Sequence, residues 1–188
     1  MHKLYALPVL LLLLWVSAAT VQAANGVKRV LQVESYSSID PWTLESAAGF
    51  RDALSEAGIE VNYEIFSFAV RFQPGMKPRE ADVRALQTKL DSGGYDLVAA
   101  YNNSAADLFL DGRLKLPPGT PLLLNTYHGE PAAELQRELN MTALLSPLHP
   151  YESARFGLHL LPELEKVVLV IDATADGQRQ RELMEKAD

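Results

Sequence analysis

Strand-like and helix-like segments alternate along this chain, which predicts an α/β fold with a mostly parallel sheet. Short runs rich in Val, Leu, Ile and Tyr recur, stretches with apolar residues at helical spacing separate them, and Gly and Pro mark the joints. Residues 27–33 read as a first strand, with Val30, Leu31 and Val33 apolar. A loop rich in Ser, Asp and Pro follows over 34–41. Residues 42–57 then bring Trp42, Leu44, Ala47, Ala48, Phe50, Leu54 and Ala57 to one side of a helix, and Gly58 stands where a C-terminal cap belongs. Residues 59–66 alternate as a strand, 79–90 are helical after Pro78, and Gly93-Gly94 turns the chain into an apolar strand over 95–101. A short helix over 104–110, the Pro117-Pro118-Gly119 break and an apolar strand over 121–125 follow. A weaker strand at 142–145, a loop at 146–150, a helix at 151–161, a very apolar strand at 166–171 and a charged helix at 176–186 bring the chain to Asp188. The expected organisation is one α/β lobe over residues 27–145 and the opening strand–helix unit of a second lobe, incomplete, over 146–188. A single six-stranded domain ending in a surface helix is the alternative.

Composition narrows the function classes. The chain has 188 residues, 48% hydrophobic and 22% charged, with 24 acidic against 17 basic side chains, a formal charge of −7 and no cysteine. That is a globular composition with enough apolar residues for one sizeable core. An acidic balance argues against nucleic acid as a partner, because phosphate binding needs clustered Lys and Arg. The absence of cysteine excludes disulfides, thiolate metal sites, cysteine nucleophiles and Cys-linked lipid. At the N-terminus, Lys3 precedes an apolar run over 4–16, and Val21-Gln22-Ala23 places small residues where a signal peptidase cuts. The run is short against the roughly 20 residues that span a bilayer. Residues 1–23 therefore read as a cleaved signal peptide, and the protein as exported and periplasmic. Loss of Lys3 leaves 16 basic against 24 acidic residues, a charge of −8.

In an open parallel sheet, ligands bind outside the carboxyl ends of the strands, at the crevice where strand order reverses. The first strand ends in Glu34, Ser35, Tyr36, Ser37, Ser38 and Asp40, with Trp42 opening the helix. The next apolar strand delivers Tyr101, Asn102, Asn103 and Ser104, and the one after it Asn125, Thr126, Tyr127 and His128. Taken singly, such residues make turns and caps, and Asn103 or Ser104 is placed to cap the following helix. Turn chemistry does not require Tyr36, Trp42, Tyr101 and Tyr127, so the cluster points to a small polar solute held by hydrogen bonds and stacking. The expected ligand-binding residues are Ser35, Tyr36, Trp42, Tyr101, Asn102, Asn103, Asn125 and Tyr127. Catalytic motifs fail: there is no Gly-x-Ser-x-Gly elbow, no phosphate-cradling Gly-x-x-x-x-Gly-Lys and no Gly-x-Gly-x-x-Gly after the first strand. His128 with Glu130 and His149 with Glu152 lack the paired-histidine spacing of a zinc helix. The expectation is a chain with no catalytic residues, metal or cofactor. The alternative class is a small exported flavodoxin-like hydrolase or other enzyme using His128 or Asp40.

The segment Arg29-Val-Leu-Gln-Val-Glu-Ser-Tyr-Ser-Ser-Ile-Asp-Pro-Trp-Thr resembles the start of the ABC-type periplasmic substrate-binding domains, whose first strand ends in Ser-Tyr and whose first helix opens with Pro-Trp. Such domains also form the extracytoplasmic sensor regions of bacterial histidine kinases and diguanylate cyclases. Tyr95-Asp-Leu-Val-Ala-Ala-Tyr-Asn-Asn, the Pro-Gly-Thr-Pro turn before Leu122, and Leu139-Asn-Met-Thr-Ala are similar as well, so the likeness covers most of residues 28–188. It implies a parallel three-layer sandwich lobe of the periplasmic-binding-protein type, with the start of a second lobe. It also implies closure on a small-molecule solute, with Ser35, Tyr36, Trp42, Asn102, Asn103 and Tyr127 contributing from the first lobe. The partners implied are a membrane permease or a transmembrane signalling region of the same chain. A whole domain of this type needs about 250 to 300 residues, so the sequence departs from the family in stopping early in the second lobe.

Overall fold

A computed structural model describes residues 26–186; the expected signal peptide lies outside them. The first strand, β1 (Lys28–Glu34), leads through Asp40 into helix α1 (Pro41–Glu56). Asp40 caps that helix by accepting from the Thr43 N–H at 3.3 Å, and Pro41 occupies the first turn, where no amide donor is needed. Strand β2 (Val61–Ser67) follows, then two short 3₁₀ turns, Val70–Phe72 and Pro74–Met76. Helix α2 (Glu80–Asp91), strand β3 (Leu97–Tyr101), helix α3 (Asn102–Leu110) and strand β4 (Leu122–Tyr127) build the centre. A short helix α4 (Ala133–Glu138), strand β5 (Met141–Leu145), helix α5 (Pro150–Leu160) and helix α6 (Ala175–Glu185) complete the described chain. Sequence reading missed α4, whose six residues are too few to display a helical period.

The sheet is five-stranded in the order β2-β1-β3-β4-β5, and every pairing is parallel. Val30 of β1 stands opposite Tyr63 of β2 on one side and Leu97 of β3 on the other. The chain moves outward from β1 to β2 and then returns to the far side of β1, so strand order reverses between β1 and β3. On one face, Leu31, Val33, Val98, Ala100, Leu122 and Leu124 pack with Val83, Leu86 and Leu90 of α2 and with Ala105, Leu108 and Phe109 of α3. The other face is thinner: Ala99 and Tyr101 pack with Ala47 of α1. The expected α/β lobe with helices on both faces of a parallel sheet is thus present.

Two expectations require correction. The apolar run 166–171 forms no strand, and Val168 and Val170 are 70% and 89% exposed. A strand exists only through hydrogen bonds to a neighbour, and among the described residues none lies beside this run. The six-stranded alternative is not formed. The second correction concerns α3, which begins at Asn102 with no side-chain cap, so neither Asn103 nor Ser104 caps it. Asn102 itself is left-handed (φ 64°). The N–H of Ala105 turns to the hydroxyl of Ser35 at 2.8 Å, and that hydroxyl donates onward to the Tyr101 carbonyl at 2.7 Å. A side chain from β1 is thereby stitched into the first turn of α3, at the point where the strand order reverses.

Candidate functional site

The carboxyl ends of β1, β3 and β4 form one wall of a cleft of about 250 Å³, lined from this side by Tyr36, Asp40, Trp42, Asn102 and His128. Arg71, on the first 3₁₀ turn after β2, closes one end. The opposite wall is the chain from Val170 through Asp172 and Thr174 to the first turns of α6, including Asp176, Gly177 and Gln180. Thr174 caps α6 by accepting from the Gly177 N–H at 3.2 Å. Gly177 allows the approach: a methyl group there would stand 2.4 Å from the Asp172 carbonyl oxygen.

The two walls touch through polar contacts. The Tyr36 hydroxyl donates to Asp176, and both residues are buried, at 5% and 7% exposure. Burial, together with the Asp176 charge, raises the Tyr36 hydroxyl above its ordinary pKa, so it stays protonated and serves as a donor. The Arg71 guanidinium lies 4.3 Å from the Tyr36 ring centre, 2.5 Å from Asp40 and 3.8 Å from Asp172. Arg71 is thus neutralised by carboxylates on both walls, and its half-exposed side chain makes these pairs worth only about 0–1 kcal/mol each. Asp172 turns its other oxygen to the Thr174 N–H at 3.0 Å and to the Thr174 hydroxyl.

Of the residues expected to bind ligand, Tyr36, Trp42 and Asn102 line the cleft. The other five do not. Ser35 is fully buried in the link between β1 and α3. Tyr101 is fully buried under α1, and burial raises its hydroxyl to a pKa of about 12. Asn103 accepts from the His128 N–H at 2.9 Å and so fixes the loop after β4. Asn125 is 5% exposed inside the sheet. Tyr127 turns away to donate to Asp107 at 3.2 Å, with burial again pushing the hydroxyl to about 12. Sequence reasoning missed Arg71, Asp172, Thr174, Asp176, Gly177 and Gln180. For Asp172, Thr174 and Asp176 the signal was present, since they follow the apolar run 166–171 as polar residues follow every strand of the lobe. For Arg71 and Gln180 no local pattern distinguishes them from surface residues.

No family model matches this sequence, and no curated protein does. Among solved structures, the chain is similar to the ligand-free, open structure of CD0873, a substrate-binding protein with adhesive properties from Clostridium difficile. The TM-score is 0.55 and the identity 12%, over 86% of this chain and 53% of that one. The five-stranded parallel α/β fold of this chain is similar to about half of that protein. At this identity the likeness speaks for the fold alone, and the chain spans about half the length of CD0873. No helix among the described residues is long and apolar enough to cross a membrane. No cluster of His and carboxylate residues among them has the makings of a metal site.

Proposed function

We propose that this chain is the solute-binding part of an exported protein, which closes on a small polar molecule in the periplasm after removal of residues 1–23. The observation that carries the reading is the cleft itself, with strand ends of the lobe on one side and residues 170–180 on the other. In this reading residues 27–145 are one lobe and residues 146–188 open a second. The exposed, unpaired run 166–171 would be its first strand. A solute reaching both walls stabilises the closed arrangement, because only that arrangement contacts it from two sides. Tyr36, Trp42 and Asn102 supply an aromatic and amide wall from the lobe, and Asp172, Asp176 and Gln180 supply polar groups from across the cleft. The closed form would be presented to a membrane permease of an ABC-type uptake system, or closure would be relayed to a transmembrane signalling region of the same protein.

The test is a panel of amino acids, sugars, nucleosides and simple aromatic compounds, read by thermal unfolding and by tryptophan fluorescence. Trp42 is one of two tryptophans in the chain, the other being Trp15 within the expected signal peptide. A ligand at a hundred times its Kd raises stability by about 2.7 kcal/mol. The expected result is a saturable rise in Tm with a matching fluorescence change; Tyr36→Ala abolishes both, and Trp42→Ala abolishes the rise in Tm. Failure of every panel member to move either signal would overturn the reading.

A further inference from the structure

Within the solute-binding reading, we infer that the cleft selects a cation rich in N–H donors, of the protonated primary amine class. The argument starts from acceptors that the protein leaves unmet. Asp176 is 7% exposed; one carboxylate oxygen accepts from Tyr36, and the other, Oδ1, has no donor among the described residues. Asn102, 3% exposed, is in the same position with its Oδ1. Its amide orientation follows from the chemistry next to it. The Thr126 hydroxyl donates to the Asn125 carbonyl at 2.7 Å, so it can only accept from Asn102, which must offer Nδ2 at 3.1 Å and leave Oδ1 unmet.

His128 lines the same cleft, and its Nδ1, 2.5 Å from the Ser146 carbonyl oxygen, donates to it. Nε2 is 4.0 Å from Asp176 Oδ1, too far for a hydrogen bond. A buried carboxylate oxygen without a donor is costly, and the other charges of the cleft do not relieve it. Arg71 is the cation among the cleft-lining residues, and it is held by Asp40 with Asp172 beyond. Counting Asp40, Asp172 and Asp176 against Arg71, the cleft carries an excess of negative charge. Position in the first turn of α6 eases the charge of Asp176 but supplies no hydrogen bond to Oδ1. An ammonium group would bring three N–H donors and a positive charge to this place, while the half-exposed indole of Trp42 accommodates an apolar remainder.

The experiment uses three isosteric probes on the purified chain: benzylamine, benzyl alcohol and benzoate, titrated against tryptophan fluorescence and by calorimetry. The expected order is benzylamine at least tenfold tighter than benzyl alcohol, with benzoate weakest. Asp176→Asn, which keeps the shape and the Tyr36 contact, should reduce the benzylamine preference over benzyl alcohol to about twofold or less. Equal or tighter binding of benzyl alcohol or benzoate would overturn the cation assignment while leaving a solute-binding cleft in place. Absence of saturable benzylamine binding up to about 10 mM would overturn it as well. A hit from the neutral or anionic members of the solute panel would then preserve the binding reading, and a blank panel would end both. Should Asp176→Asn fail to fold, the charge preference of the unmodified protein decides the question alone.

Discussion

Replacement of Ser35 by Ala separates a structural role from a ligand-binding one at the reversal point of the sheet. The Ser35 hydroxyl makes two buried hydrogen bonds, accepting from Ala105 N–H at 2.8 Å and donating to the Tyr101 carbonyl at 2.7 Å. Its loss does not affect the two partners equally. The Tyr101 carbonyl retains the Ser35 N–H at 3.2 Å, whereas no backbone carbonyl is placed to take over the Ala105 N–H, because left-handed Asn102 has opened the first turn of α3. One net hydrogen bond is worth about 1 kcal/mol, and an orphaned buried N–H costs about 1–3 kcal/mol. The sum predicts a loss of about 2–4 kcal/mol. For a chain of this size that is a fall in Tm of about 4–16 °C. Urea denaturation followed by far-UV circular dichroism measures it, with Ser37→Ala in the adjoining loop as a control expected to stay within about 0.5 kcal/mol. Once folded, Ser35→Ala should bind any solute that Trp42 reports with near-normal affinity. A variant as stable as the control would refute the stitch between β1 and α3.

Four further outcomes follow from particular contacts. Glu64 accepts from Lys89 at 2.6 Å, Arg29 at 2.7 Å and Tyr95 at 3.0 Å, and these bonds, that to Lys89 foremost, hold its carboxyl down near a pKa of about 2. The unfolded chain binds this proton more readily, so the contribution is complete above about pH 4.5 and is lost as pH falls toward 2. Allowing for its partial exposure, about 1–2 kcal/mol is at stake, and Glu64→Gln should remove that acid sensitivity in denaturation curves taken from pH 2 to 6. Gly177→Ala forces a methyl against the Asp172 carbonyl and should displace the first turn of α6, lowering solute affinity by about tenfold or more with little change in the far-UV spectrum. Leu86→Ala, at a fully buried position between α2 and the sheet, should cost about 2–5 kcal/mol by chemical denaturation. Trp42→Ala removes a side chain 56% exposed and should leave stability within about 0.5 kcal/mol while abolishing the solute-induced rise in Tm.

The lobe was legible in the sequence because its sheet is buried on both sides. Parallel strands under helices read as continuous apolar runs, and the runs ending at Val33, Tyr101 and Asn125 fall within two residues of the observed strand ends. Gly and Pro set the boundaries between them. The cleft was legible only in part, for a geometric reason. Successive residues leaving a strand point in opposite directions, so a polar run names candidates without saying which face the cleft. Ser35 and Tyr36 show the difference: neighbours in sequence, one is stitched beneath α3 and the other reaches across to Asp176. Asn102 and Asn103 divide in the same way: left-handed Asn102 lines the cleft, whereas Asn103 turns inward to accept from the His128 N–H.

The far wall was hidden for another reason. The run 166–171 has the β-branched composition of a strand and polar residues after it, yet with no neighbour for it in the described chain the sequence does not say that those residues face the ends of β1, β3 and β4. What places Asp172 and Asp176 is instead the cap at Thr174 and the bare Cα of Gly177, which let α6 begin against the loop that precedes it. Besides the packing of α6 against α3, polar contacts reach back to the lobe: Tyr36 to Asp176, Arg71 to Asp172, His128 near Asp176. The half-exposed Arg71 pairs contribute little net free energy, whereas the buried bond from Tyr36 to Asp176 fixes the orientation of the wall. In the proposed reading, a solute that supplies the donors Asp176 and Asn102 lack would add to the free energy that holds the two walls together.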